Sequence, residues 1–194
     1  MYDAIDDPYT YENSTVLINK LDLREQSDLD DFEAEISAAR AKEPLPEGDL
    51  DFVHYCAVHH HLFQDVFEWA GEPRRVRISK QGNPFCFPEH IGAQAKKLFS
   101  ELKATNYLEN LPAKEFAKRA AHFVAELNAI HAFREGNGRA QLTFFALLAD
   151  RAGHPLDLEN LDPDAMLDAM IASFDGNESA LERVIAGLVG IDGE

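Results

Sequence analysis

Residues 131–139 read His131-Ala-Phe-Arg-Glu-Gly-Asn-Gly-Arg139, a glycine-rich segment between two amphipathic stretches. Before it, apolar residues recur at helical spacing from Phe116 to Ile130. After it, the same spacing runs from Leu142 to Ala152, and Gly153 and Pro155 then give the usual end of a helix. The segment is therefore predicted to be a loop between two core helices that leads into the N-terminus of the second.

The residue types in this loop suit the binding of a phosphate. Gly136 and Gly138 admit positive φ and carry no side chain that blocks a ligand. Successive backbone N–H groups in such a loop form a concave anion site, and the N-terminus of the following helix adds partial positive charge. Arg139 supplies a fork of donors for phosphate oxygens, and Arg134 adds charge nearby.

Two further side chains of the loop have the chemistry of catalysis. His131 is of the residue type that most often serves as a general base. Glu135 offers a hard oxygen ligand, of the kind that Mg²⁺ takes when phosphates complete its coordination. Phe133, the one large apolar residue of this segment, is predicted to anchor the loop in the core. Together these residues indicate attack on a phosphate group, and an ordinary glycine-rich turn between helices is the structural alternative.

One strand pattern stands out, from Arg75 to Ser79, where polar and apolar residues alternate. Residues 80–84 have the composition of a turn, and residues 85–87 are predicted to be the returning strand of a short hairpin. Further helical patterns lie at about 21–41, 50–67, 91–103, 162–171 and 179–189. The fold class is therefore predicted to be all-α, a helical bundle that carries one small β-hairpin.

The chain is strongly acidic, with 18 Lys and Arg against 35 Asp and Glu and a formal net charge of −17. Such a surface repels phosphate backbones and anionic lipids, so we expect neither nucleic acid nor membrane as a partner. Cys56 and Cys86 lack metal-type spacing and suit a reducing compartment. The sequence has no signal-peptide pattern and no apolar run of membrane-spanning length, so a cytoplasmic location is expected.

Four histidines lie close together in the 50–67 segment, namely His54, His59, His60 and His61. Their spacing places them on different faces of the predicted helix, and no cysteine or carboxylate set completes a zinc site at suitable spacing. We therefore predict exposed or hydrogen-bonded structural histidines rather than metal ligands.

The segment 131–139 resembles the signature of the bacterial Fic family, His-Pro-Phe-x-(Asp/Glu)-Gly-Asn-Gly-Arg-x-x-Arg. Other stretches are similar to the family as well. Residues 15–21 resemble its N-terminal segment, residues 62–72 its helix and turn before the hairpin, and residues 74–85 its hairpin, called the flap. The resemblance covers about residues 8–175.

The resemblance implies a Fic fold, with residues 1–194 forming a single Fic domain, its core at about 8–175 and a C-terminal helix at about 179–189. It also implies an enzyme, a protein adenylyltransferase (AMPylase). Such an enzyme transfers AMP from Mg²⁺-ATP to a Ser, Thr or Tyr hydroxyl of a target protein.

The signature also implies roles for single residues. His131 would deprotonate the target hydroxyl, and Glu135 would hold Mg²⁺ on the phosphates. The nucleotide would be contacted by Phe133, Arg134, Glu135, Gly136, Asn137, Gly138, Arg139 and Lys80. A segment of the target would be clamped by strand addition to the flap, through Ile78, Ser79, Lys80, Gln81, Gly82 and Phe85.

The chain departs from the signature at two positions. Ala132 replaces the usual proline, and Leu142 replaces the second arginine, which in the family helps to place the γ-phosphate and pairs with an inhibitory glutamate. Its loss keeps two alternatives open: a non-catalytic nucleotide- or protein-binding Fic module, and transfer of a different nucleotide or phosphate group. Relatives that phosphorylate carry lysine where this chain has Gly138, which disfavours phosphate transfer.

Many members of the family are silenced by a helix with the pattern (Ser/Thr)-x-x-x-Glu-(Gly/Asn). Residues 105–110, Thr105-Asn-Tyr-Leu-Glu109-Asn110, match this pattern but lie in a predicted loop, so we interpret the match as chance. A small separate antitoxin that supplies such a helix is then the expected partner, with this chain as the toxin of a toxin–antitoxin pair. Regulation of another kind is the alternative.

Overall fold

A computed structural model describes residues 3–4, 7–80 and 82–191 of the chain. Within these residues the predicted all-α class is confirmed, since seven α-helices accompany one small sheet. The helices are α1 (Gln26–Arg40), α2 (Phe52–Phe63), α3 (Pro88–Ala104), α4 (Ala113–Ile130), α5 (Asn137–Ala152), α6 (Pro163–Phe174) and α7 (Ser179–Leu188). Short 3-10 turns lie at Asn106–Leu108 and Leu158–Asn160.

The sheet is antiparallel, with strands in the order β1 (Asp3–Ala4), β2 (Ile78–Lys80) and β3 (Asn83–Pro84). Strands β2 and β3 form the predicted hairpin, but the predicted strands at 75–79 and 85–87 are displaced toward its turn. Strand β1 has no counterpart in the prediction, because two residues give no alternating pattern.

The displacement has a cause in the hydrogen bonds at the base of the hairpin. The guanidinium of Arg74 donates to the carbonyls of Val76 and Cys86, and so takes groups that a longer ladder would use. Gly82, with φ of 81°, allows a tight turn. Gln81, the other residue of this turn, lies outside the described residues.

The first of two compact units comprises residues 1–92 and 131–143. Helices α1 and α2 pack against each other there, and the Asp51 side chain caps α2 by accepting from the His54 amide at 2.8 Å. Helix α2 ends at Phe63 rather than at the predicted residue 67, because the chain continues in turns. Aromatic side chains fill the core of this unit, including Tyr55, Phe63, Phe67 and Phe133.

The second unit comprises residues 93–130 and 144–194, in which α4, α6 and α7 contact one another. The predicted inner face of α4 is confirmed, since Phe116, Ala120, Phe123, Leu127 and Ile130 are all buried. The single domain over residues 1–194 stays a prediction. Among the described residues, no helix has both the length and the apolar composition needed to cross a membrane.

Candidate active site

The loop that precedes α5 is shorter than the predicted segment 131–139, because residues 137–139 already form the first turn of the helix. It spans residues 131–136, and α5 begins directly after it at Asn137. The Asn137 side chain closes the loop, since its Oδ1 accepts from the Phe133 amide at 2.9 Å and its Nδ2 donates to the Phe133 carbonyl at 2.8 Å. His131 and Gly136 have positive φ, of 47° and 78°, so the backbone is left-handed at both ends of the loop.

The two glycines of the loop serve different purposes. A Cβ at Gly136 would lie 2.5 Å from ring carbons of Phe63, so both the contact and the positive φ require glycine there. Gly138 is exposed in the first turn of α5, and a Cβ there would meet nothing within 4 Å. Gly136 therefore shapes the loop, whereas the space beside Gly138 is open to a ligand.

His131, the predicted general base, is held by its backbone and by its ring. Its carbonyl accepts from Arg74 Nε at 2.8 Å, and the Arg74 amide donates to the neighbouring Ala132 carbonyl at 2.8 Å. Its imidazole stacks on the ring of Phe85, with centroids 3.8 Å apart and planes 19° apart. Because Arg74 also binds the base of the hairpin, one buried guanidinium connects the flap to the loop at 131–136.

Sequence reasoning did not find this role of Arg74. An arginine before an alternating stretch is usually exposed, yet Arg74 is among the largest fully buried side chains. Its acceptors on the loop lie more than fifty residues further along the chain, and no local pattern reports such a contact.

Glu135, the predicted Mg²⁺ ligand, is half-buried, and its Oε1 accepts from the Gly136 amide at 3.0 Å. Among the described residues, no group of three or more His, Cys, Asp or Glu side chains is arranged to hold a metal ion. Mg²⁺ in nucleotide sites usually takes one or two protein carboxylates and completes its shell with phosphates and water. A single accessible carboxylate on this loop fits that usual coordination of Mg²⁺.

The side chains of Phe133 and Arg134 are both buried, so their predicted contacts with a nucleotide, which stay predictions, would be made through the backbone. Phe133 is fully buried and packs on His59 and Tyr55, with centroids 3.7 and 5.1 Å away, which confirms its predicted place in the core. Arg134 is also buried, and its Nε and one terminal nitrogen bind Asp7 Oδ2 at 2.8 and 2.7 Å. Both residues support the loop from the inside.

Arg139, the predicted phosphate ligand, lies in the first turn of α5 with 42% of its side chain exposed. Its guanidinium forms an ion pair with Glu33 and donates to Ser37 Oγ at 2.9 Å, and both of these residues lie on α1. Burial raises the pKa of Glu33, and the positive charge of Arg139 opposes that rise. Helix α1 thus directs the Arg139 side chain, a contact that the sequence did not reveal.

The predicted flap residues differ in their exposure to solvent and in their contacts. Ile78 is buried, Ser79 half-buried, Lys80 and Gly82 exposed, and Gln81 lies outside the described residues. Phe85 is the flap residue that lies against the ring of His131. The flap therefore covers the candidate base through an aromatic side chain.

The histidines of α2 form the predicted hydrogen bonds, and the segment that matches the inhibitory pattern lies outside the α-helices. All four histidines bind backbone groups, as predicted: His54 at residues 46 and 50, His59 at 71 and 135, His60 at 70, and His61 at 40. The segment 105–110 contains the 3-10 turn Asn106–Leu108 and no α-helix, and Glu109 binds Arg151 at 2.8 Å.

Comparison with known proteins places these observations in a family. Residues 49–149 match the profile of the Fic/DOC family. The chain is 49% identical to the probable protein adenylyltransferase y4lH of Sinorhizobium fredii (strain NBRC 101917 / NGR234), over 97% of this chain and 98% of that protein. It is 34% identical to the probable protein adenylyltransferase Fic of Escherichia coli K12, over 97% and 94% of the two chains.

Solved structures show the same fold. The VirB-translocated effector BepC of Bartonella tribocorum, crystallised with bound AMPPNP, has a TM-score of 0.83 with this structure. The two chains are 28% identical, and the match covers 93% of this chain and 95% of that chain.

Proposed function

The chain belongs to the Fic/DOC family, and from this we propose that it is a protein adenylyltransferase, which transfers AMP from ATP to a hydroxyl group of a target protein. The observation that carries the proposal is the loop at 131–136, which holds the imidazole of His131 beneath Phe85 and the half-buried carboxylate of Glu135 just before the start of α5, where the space beside Gly138 is open. The names of its relatives and the ATP analogue bound to BepC support it.

The reaction needs a base, an anion site and a route for the leaving group. The target hydroxyl oxygen attacks the α-phosphorus of ATP, the bond from this phosphorus to the bridging oxygen breaks, and pyrophosphate leaves. We assign the hydroxyl proton to the His131 imidazole. We assign the phosphates to backbone N–H groups at Gly136 and at the start of α5 and to Arg139. Gly136 and Arg139 would then exchange their present carboxylate partners, Glu135 and Glu33, for phosphate oxygens.

We also assign Mg²⁺ to Glu135, because its carboxylate is the accessible hard ligand of the loop. When bound, the ion neutralises charge on the phosphate oxygens. Binding of ATP should therefore weaken when Mg²⁺ is chelated.

Target docking by strand addition finds support in the chain itself. Strand β1 adds to β2 in antiparallel register, with Asp3 opposite Ser79 and Ala4 opposite Ile78. This edge of the flap thus accepts a short extended segment through its backbone, as a target segment would. Since β1 lies at that edge, a target that uses it has to displace β1.

Deletion of residues 1–6 should therefore lower the KM for the target protein and leave the KM for ATP unchanged. The deletion removes β1 but keeps Asp7, which holds Arg134 in the loop. Steady-state labelling with varied target, alongside a melting curve, measures the effect. A KM for the target that is unchanged or higher would show that β1 and the target do not compete.

Restoring the second arginine of the signature should change the preference between nucleotides. Leu142 lies three residues after Arg139 and is half-buried on α5, so it lies on nearly the same face as Arg139. Leu142→Arg should tighten ATP more than ADP, by about 1–3 kcal/mol, if a charge-assisted contact to the γ-phosphate forms. Calorimetry with Mg²⁺ measures both dissociation constants, and Leu142→Met is the uncharged control. Equal tightening of ATP and ADP would contradict this placement.

Regulation by a small antitoxin, and with it a toxin role and a cytoplasmic location, stay predictions. The 105–110 turn supports an external regulator only in that its Glu109 already binds Arg151. Purification of the chain from its own host, with identification of co-purifying small proteins, tests this directly.

The enzymatic proposal is tested by incubating the protein with a bacterial lysate and ATP labelled at the α-phosphate. We expect at least one labelled protein band that depends on the added chain. Binding of ATP with no labelled protein in any lysate would favour the alternative, a non-catalytic nucleotide-binding module.

A further inference from the structure

His59 is a buried histidine outside the signature, and it contacts the loop that carries the signature. It lies on α2 with no exposed surface, and its ring stacks on Phe133 at 3.7 Å and packs near Phe63 at 4.7 Å between centroids. A large apolar side chain would fill this space as well, so packing alone does not require an imidazole.

The hydrogen bonds of His59 explain the choice of histidine. Its Nδ1 lies 2.8 Å from the Gly71 amide and accepts that N–H. A neutral imidazole carries one N–H, so the proton is on Nε2, which donates to the Glu135 carbonyl at 3.0 Å. Burial lowers the pKa of His59 to about 3, which agrees with the neutral ring that these two hydrogen bonds require.

The bond to the Glu135 carbonyl controls a second group. The Glu135 carbonyl and the Gly136 N–H belong to one planar trans peptide, in which they point in opposite directions. Because His59 holds the carbonyl on one side, the N–H is directed to the other side, where it now donates to Glu135 Oε1 at 3.0 Å. Glycine has little preference for the sign of φ, so loss of the His59 bond removes a restraint on the rotation of this peptide.

We propose that His59 is a positioning residue of the nucleotide site, which holds the 135–136 peptide so that the Gly136 N–H faces the bound phosphates. It touches no substrate itself. If the peptide rotated, a carbonyl oxygen would replace the N–H and repel the phosphate. The inference rests on the proposed function in one respect, namely that this loop binds a nucleotide.

Two substitutions separate positioning from packing, since both remove the stacked ring. In His59→Gln the amide nitrogen reaches the place of Nε2 and donates to the Glu135 carbonyl. In His59→Asn the shorter side chain puts an oxygen near the place of Nδ1, where it accepts from Gly71 but leaves Glu135 unbound. The two variants thus keep opposite halves of the native hydrogen bonding.

Calorimetry of ADP binding with Mg²⁺, with adenosine as the phosphate-free probe, measures the difference. Relative to wild type, His59→Asn should weaken ADP by about tenfold or more. His59→Gln should recover most of this loss, and adenosine should bind both variants alike. Equal loss of ADP affinity in both variants, or a matching loss for adenosine, would overturn the proposal, because His59 would then act through packing alone. A wild-type chain that bound neither ADP nor ATP would instead contradict the proposed function.

A measurement on the unaltered protein covers the case in which the variants fail to fold. In ¹⁵N-labelled wild type, ADP should shift the Gly136 amide proton downfield, while the His59 ring keeps its Nε2–H form. If the resonance of the Gly136 amide did not shift while other resonances showed that ADP is bound, this result would overturn the proposal as well.

Discussion

His131→Ala should lower the rate of AMP transfer by about 10²- to 10⁴-fold while ATP still binds, as expected for loss of a general base. The separation of the two effects follows from the structure. Arg74 holds this residue through its backbone carbonyl, so removal of the imidazole leaves the loop anchored. Transfer to a purified target, measured under single-turnover conditions, and calorimetry with ATP give the two quantities.

Two controls belong with this experiment. The backbone at His131 has φ of 47°, which alanine adopts poorly, whereas asparagine tolerates it. His131→Asn should therefore show the same loss of rate without backbone strain. His122→Ala removes an exposed histidine of the second unit and should leave the rate unchanged. Transfer at the wild-type rate in both His131 variants would refute the assignment of the base.

Asp7→Ala should destabilise the fold by about 3–5 kcal/mol, the usual result of breaking a buried ion pair from one side. The side chains of Asp7 and Arg134 are only 9% and 4% exposed, and two nitrogens of the guanidinium bind one carboxylate oxygen. Without Asp7 the charge of Arg134 stays buried without its carboxylate. Denaturant unfolding of the purified proteins measures the loss.

The same pair offers a test of mechanism. Asp7→Ala combined with Arg134→Met removes both charges and should recover much of the lost free energy of unfolding, since an apolar replacement needs no partner. Glu72→Ala, which breaks an exposed pair with Arg75, should leave the unfolding curve near that of wild type. An unfolding curve for Asp7→Ala that matches wild type would mean that Arg134 does not depend on this partner.

The sequence was sufficient to predict those parts of the structure that depend on local patterns. Helical periodicity predicted the core face of α4 and the presence of α5, and the glycines predicted a loop between these helices, although α5 begins at Asn137, inside the predicted loop. The all-α class and the family follow from the same stretches. The candidate base and carboxylate could be identified from the sequence, because their residue types and their order in the loop are sufficient for this.

Contacts between distant residues could not be predicted in this way. Asp7 and Arg134 are 127 residues apart, and no periodicity connects them. The same holds for the pair of Arg139 with Glu33, for the bond of His59 to the loop, and for strand β1. The sequence predicted that both Arg134 and Arg139 bind phosphate, but it could not show that Arg134 is buried while Arg139 is partly exposed at the start of α5.

The most direct test of the proposed function compares two forms of labelled ATP on one purified target protein. With label at the α-phosphate, the target should gain label at a rate that depends on His131. With label at the γ-phosphate, the target should stay unlabelled and the label should appear in released pyrophosphate. A target that gained the γ-label instead would contradict AMP transfer and show that the chain transfers a phosphate group.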